Sequence, residues 1–115
     1  MFICRAKDAT DQVNQMMDAI PSNLYDKVWI AVDTNYSPSC AWSSFPALSN
    51  CSYLKQLIAA VQGRGKDVGV RSDYDTWTKA FGSENGCQDV KNYPLWYTSL
   101  DGNPNFNNFK TFIGW

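Results

Sequence analysis

A chain of 115 residues makes one domain at most. That is enough to bury a core but short of the roughly 250 residues of a closed eight-stranded β/α barrel, so a barrel-like pattern here would be part of one. Ten basic and eleven acidic residues give a net charge of −1 with no run of either sign, which argues against nucleic acid and against membrane surfaces as partners.

The chain has no His, so acid/base chemistry must rest on carboxylates, Tyr or Lys, and the commonest metal ligand is missing. Neither a cofactor nor a metal site is expected. The cysteines stand at positions 4, 40, 51 and 87 without a Cys-x-x-Cys pair, which points to disulfides rather than zinc. Aromatic residues make up 15% of the chain, a content that suits sugar stacking and an aromatic core equally well.

Met1 to Cys4 reads as the end of a strand. Residues 9–20 carry Val13, Met16, Met17 and Ile20 at helical spacing, with Thr10 or Asp8 as cap and Pro21 as stop. Asp26 to Asp33 is an apolar strand in which Val28, Ile30 and Val32 share one face and Trp29, Ala31 and Asp33 the other. Its acid falls at the C-terminal end, where helix-covered sheets place their sites, although an Asp there can also simply begin the next turn.

Residues 34–49 form a loop of unusual length for a compact domain. Cys40 and Cys51 flank it, which predicts one bridge between them and leaves Cys4 with Cys87 by elimination. Asn50 is placed to cap a helix over 50–63 with Tyr53, Leu54, Leu57, Ile58 and Val61 as its stripe, ended by Gly63 and Gly65. A strand follows over 67–71. Ser72 then caps a helix over 73–81 that carries Trp77, Ala80 and Phe81.

After a polar loop containing Cys87 comes a strand over 94–98, an Asp-Gly-Asn-Pro turn, and the tail Phe106, Phe109, Phe112, Trp115. Strand and helix alternate throughout, so the fold class is α/β with parallel strands and no closed barrel. Open sheet edges would then favour self-association. No run approaches the length of a membrane span, and Met1 to Gln15 contains no signal-peptide core. The sequons Asn35-Tyr-Ser37 and Asn50-Cys-Ser52 suit a secretory route, so the chain is either cytosolic or has lost a leader upstream.

Four stretches carry a resemblance: Val-Trp-Ile-Ala-Val-Asp (28–33), Gly-Lys-Asp-Val-Gly-Val (65–70), Pro-Leu-Trp-Tyr-Thr-Ser-Leu-Asp-Gly (94–102) and Phe-Ile-Gly-Trp (112–115). In this order and spacing the chain resembles the glycoside hydrolase family 25 lysozymes, particularly the eukaryotic branch of ciliates, amoebae and nematodes. The resemblance covers nearly the whole chain but only the middle of such an enzyme. It implies a single partial domain over 1–115 with an incomplete TIM-like β/α barrel, N-acetylmuramidase action on peptidoglycan or another N-acetylated glycan, and a secreted, vacuolar or phagosomal setting.

The family signature is Asp-x-Glu on one strand, two carboxyl groups facing one sugar. Here Ala31 matches the Asp and Asp33 the Glu. Arg71 and Leu100 stand where tyrosines are usual, while Trp96 and Tyr97 are kept. The resemblance therefore implies a catalytically impaired lysozyme-like protein with Asp33 as the remaining catalytic acid and Trp29, Arg71, Trp96, Tyr97 and Asp101 as substrate-binding residues, Arg71 toward a carboxylate such as the muramic lactyl group. Asp73 and Asp101 could in principle substitute for the lost acid, but a helix N-terminus and a turn explain them more simply. The alternative is a non-catalytic carbohydrate-binding or interaction module built on Trp29, Trp96 and Tyr97.

Overall fold

The computed structural model describes residues 3–32, 39–82, 86–90, 93 and 95–97, with residues 74 and 95–97 taken through their backbone. Asp33, Asp101, the sequon at Asn35 and the aromatic tail lie outside the described residues. The elements run α1 (Ala9–Asp18), β1 (Lys27–Ala31), α2 (Ala47–Gly63), β2 (Asp67–Ser72), α3 (Tyr74–Phe81) and β3 (Leu95–Tyr97), with single 3-10 turns over 22–24, 42–44 and 88–90. The strands form one parallel sheet in the order β1-β2-β3, as the alternation predicts. The strand expected near residues 2–4 is absent from Ile3 and Cys4, which carry a turn instead: the Lys7 amide donates to the Cys4 carbonyl at 3.1 Å.

Each helix starts and stops for a local reason. The Asp8 carboxylate accepts from the Asp11 amide at the head of α1, so Asp8 rather than Thr10 is the cap. At α3 the cap is Asp73, one residue later than expected, because its Oδ1 accepts from the Thr76 amide at 2.8 Å. Gly82, at φ 88°, closes α3 in the left-handed conformation that favours glycine, and its amide donates to the Thr78 carbonyl. Helix α2 begins at Ala47 behind Pro46 rather than at an Asn50 cap, since the Asn50 amide already donates to the Pro46 carbonyl inside the first turn.

Helix α2 is the hub of packing, touching α1, α3, β1 and β2. Its Leu54, Leu57, Ile58 and Val61 meet Val28, Ile30 and Val32 of the first strand segment and Val68 and Val70 of β2, all buried in one core with Val13 and Met17 of α1. Aromatic side chains extend this core toward α3: the Trp77 and Phe81 rings lie 4.1 Å apart, and Trp42 meets both Phe81 and Tyr53 at under 6 Å. Trp42 and Trp77 are thus packing residues.

The cysteines pair differently from the expectation. Bridges join Cys4 to Cys40 and Cys51 to Cys87, not Cys40 to Cys51 or Cys4 to Cys87. Arg5 explains the first pairing: its amide donates to the Cys40 carbonyl, and its guanidinium lies between the Phe45 and Tyr53 rings while Nε donates to Asn50 Oδ1 at 2.8 Å. This docking brings Cys4 to Cys40. Cys51, one residue beyond Asn50 in α2, instead meets the segment that follows α3.

Each bridge spans 36 residues, for which loop entropy gives at most about 4 kcal/mol. Burial lowers the pKa of Arg5 and raises that of the Tyr53 hydroxyl beside it, while the neighbouring cation opposes the Tyr53 shift.

Candidate functional site

The C-terminal rim of the sheet is held together by hydrogen bonds that outlast the strands themselves. The Val32 amide donates to the Arg71 carbonyl at 2.8 Å, and Ser72 Oγ donates to the Val32 carbonyl at 2.7 Å. Sequence reasoning assigned Ser72 to a helix cap. Its hydroxyl instead fixes the last described residue before Asp33 onto β2, a role that becomes visible only with the strand pairing.

Register then sorts the expected site residues. Ala31, Arg71 and position 96 are successive Cα partners across the three strands, and the first two lie on the face away from α2. Trp29 lies two residues back in the row of Gly69. Position 97 is the Cα partner of Ser72, one residue beyond the row of Arg71. The rim therefore groups Ala31, Arg71 and position 96, while Trp29 and position 97 belong to other neighbourhoods.

At the rim the row contains a buried methyl at Ala31 and a half-buried cation at Arg71. Asp73, the nearest described acid in sequence, has both carboxylate oxygens engaged by Thr76: Oδ1 by the amide and Oδ2 by the hydroxyl at 3.0 Å. It is a helix cap. Among the described residues, no cluster of three or more His, Cys, Asp or Glu is placed to hold a metal ion.

Trp29 closes onto β2 because position 69 has no side chain: a Cβ built there would sit 2.5 Å from Trp29 Cζ3. The Lys27 ammonium lies 4.5 Å from the centre of the same ring. With Met16, Ile20, Leu24, Tyr25 and Val28, these two residues line a largely apolar groove of about 480 Å³ beside β1. The groove lies toward the N-terminal half of the strand, away from Ala31.

Gly69→Val is expected to cost about 2 kcal/mol by forcing the indole off β2. In urea unfolding, part of that loss should disappear in the Gly69→Val/Trp29→Ala pair. Strictly additive losses would mean that the two positions do not press on each other.

Comparison with known proteins gives a consistent set of relatives. All of residues 1–115 match the family model described as Lysozyme-like protein 1. The chain is 31% identical over 91 residues to "Probable GH family 25 lysozyme 2" of Dictyostelium discoideum, covering 79% of this chain and 39% of that protein. It is 28% identical over 122 residues to "Counting factor 50" of the same organism, covering 99% of this chain and 38% of the relative. With "Lysozyme-like protein 5" of Caenorhabditis elegans it shares 24% identity over 109 residues, 93% of this chain and 47% of the other. The chain thus spans less than half the length of each of these relatives. No solved structure matches.

Proposed function

The chain belongs to the lysozyme-like protein 1 family and is a relative of the glycoside hydrolase family 25 lysozymes, and on that premise we propose that it is a peptidoglycan-directed domain that binds glycan and hydrolyses it negligibly. The observation that carries the reading is the row Ala31–Arg71 at the sheet rim. Muramidase chemistry needs one carboxylic acid to protonate the leaving oxygen and a second carboxylate to balance the positive charge that develops on the sugar.

By resemblance Ala31 stands at one of those positions, and its cross-strand partner is a cation. A cation there opposes the developing charge. Loss of one such group alone costs on the order of 10²–10⁴ in rate. In this reading Asp33 is the one acid left, and it is a methylene shorter than the glutamate it matches, which shortens its reach toward the leaving oxygen.

Binding asks less of the site. Arg71 can offer a planar pair of N–H donors to a carboxylate such as a lactyl group, and the neighbouring position 96 supplies a tryptophan for a sugar face. Asp101 is the further candidate for sugar hydroxyls, with Trp29 and Tyr97 outside the central row. Two disulfides and lysozyme relatives fit a secreted or vacuolar setting, where such a glycan would be met.

The expected result with purified peptidoglycan is retention of the protein in a pull-down without release of reducing ends above the Asp33→Asn level. Arg71→Leu should weaken retention about tenfold, the loss of a charge-assisted contact worth roughly 1.4 kcal/mol. Cell-wall lysis by the unmodified chain that Asp33→Asn abolishes would overturn the impaired reading. Retention unchanged by Arg71→Leu would overturn the role of Arg71.

A further inference from the structure

Asn50 sits in a sequon, Asn50-Cys-Ser52, a triplet that ordinarily marks a surface loop. In the fold it is fully buried. Its Nδ2 donates to the carbonyls of Trp42 at 2.8 Å, Ala80 at 2.7 Å and Phe45 at 3.2 Å, and its Oδ1 accepts from Arg5 Nε. The middle residue of the sequon, Cys51, is bonded to Cys87. The side chain that a glycan would need is thus spent on four partners drawn from three separate parts of the chain.

Those partners arrive at different times. Arg5, Trp42 and Phe45 precede Asn50, whereas Ala80 and Cys87 follow it by 30 and 37 positions. At a synthesis rate of about 5–20 residues per second, the side chain stays unsealed for roughly two to seven seconds after it is made.

We infer that Asn50 is an N-glycan acceptor only before the Ala80 contact and the Cys51–Cys87 bridge close over it, so that a glycan at Asn50 and the closed fold exclude each other. The modification is transfer of a glycosyl group from a lipid-diphosphate oligosaccharide. A bond forms between Nδ2 and the anomeric carbon, the bond from that carbon to the diphosphate oxygen breaks, the lipid diphosphate leaves with the electron pair, and one amide proton is lost. The substituted amide retains a single N–H. It cannot donate to both Trp42 and Ala80, and the sugar has no space in a side chain without exposed surface.

Once bonded, Asn50 is out of reach of the transferase, and once glycosylated, it cannot enter the core. The chain therefore carries a commitment point that is read out as disulfide closure. A glycan placed there would mark molecules in which α3 and the segment at Cys87 had failed to dock.

The test uses the full chain behind an added leader in a eukaryotic secretory host, in an Asn35→Gln background so that any glycan reports Asn50. Molecules with and without a glycan, separated from cells and medium together, are mapped for disulfides after glycosidase treatment, with deamidation marking the site. The Cys51–Cys87 bridge is expected only in the unglycosylated fraction. Cys87→Ser leaves the triplet intact but removes the closure, and should raise the glycosylated share several-fold wherever the parent is not already fully modified. A glycan on Asn50 in molecules that contain the Cys51–Cys87 bridge would overturn mutual exclusion. Absence of glycan from both parent and Cys87→Ser would overturn Asn50 as an acceptor.

Discussion

Asn50→Ala is expected to cost about 4 kcal/mol, a large share of the 5–15 kcal/mol that hold a domain of this size together. The substitution creates little empty volume. Its penalty comes from the groups left behind: the Trp42 and Ala80 carbonyls lose their donor in a region without water access, at roughly 1–3 kcal/mol each, and Arg5 Nε loses its acceptor. Because Arg5 also lies between the Phe45 and Tyr53 rings, its release should loosen the Cys4 segment as well. Urea unfolding of the oxidised protein measures the loss directly, and a change below about 1 kcal/mol would mean that the hub is not held as described.

Trp77→Ala should be worse, at about 5 kcal/mol, the upper end for removing a fully buried aromatic. Three effects combine. The indole packs on Phe81 at 4.1 Å, its loss opens a cavity between α3 and α2, and its Nε1 donates to the Gly86 carbonyl, next to the Cys51–Cys87 bridge. A conservative Trp77→Phe change keeps most of the packing and loses the hydrogen bond, so it should recover about half of the deficit. Thermal unfolding of the three proteins side by side provides the check. Equal melting temperatures for Trp77→Ala and the parent would contradict the packing.

Much of this architecture was readable from residue types because α/β units place their apolar residues with two distinct periods. Val28, Ile30 and Val32 alternate, and Leu54, Leu57, Ile58 and Val61 recur at three and four, so the helices and the later strands fall within a few residues of where they are found, whereas the short run at Ile3 and Cys4 had no such period and forms no strand. What could not be read depended on contacts between distant segments. Cys40 and Cys51 are close in sequence, but proximity says nothing about which way each side chain is carried, and the docking of Arg5 decided the matter. Ser72 and Asp73 are equally good cap types, and only strand pairing showed that the hydroxyl belongs to Val32.

Asn50 left a signal that residue type alone concealed. It lies in phase with Tyr53, Leu54, Leu57 and Val61, on the stripe that faces the core, where a cap residue would not be. A lone amide on an apolar stripe must find partners inside, and here it found four. The rim was legible only in part: the resemblance marked Ala31 and Arg71 separately, and register made them neighbours.

The pairing of the cysteines, first with second and third with fourth, has a consequence for how the molecule can be made. The two closed loops, 4–40 and 51–87, neither overlap nor nest. Each loop contains both thiols of its own bridge, so with Arg5 docked on Asn50 and Tyr53 the first can close before Cys87 is made and the second without disturbing it. When Cys87 is made its native partner Cys51 is already present, and with Cys4 and Cys40 joined it is the one thiol left to pair with. A chain pairing Cys40 with Cys51 and Cys4 with Cys87 would have had to hold the Cys4 thiol open until Cys87 was made, exposed to every wrong partner that passed.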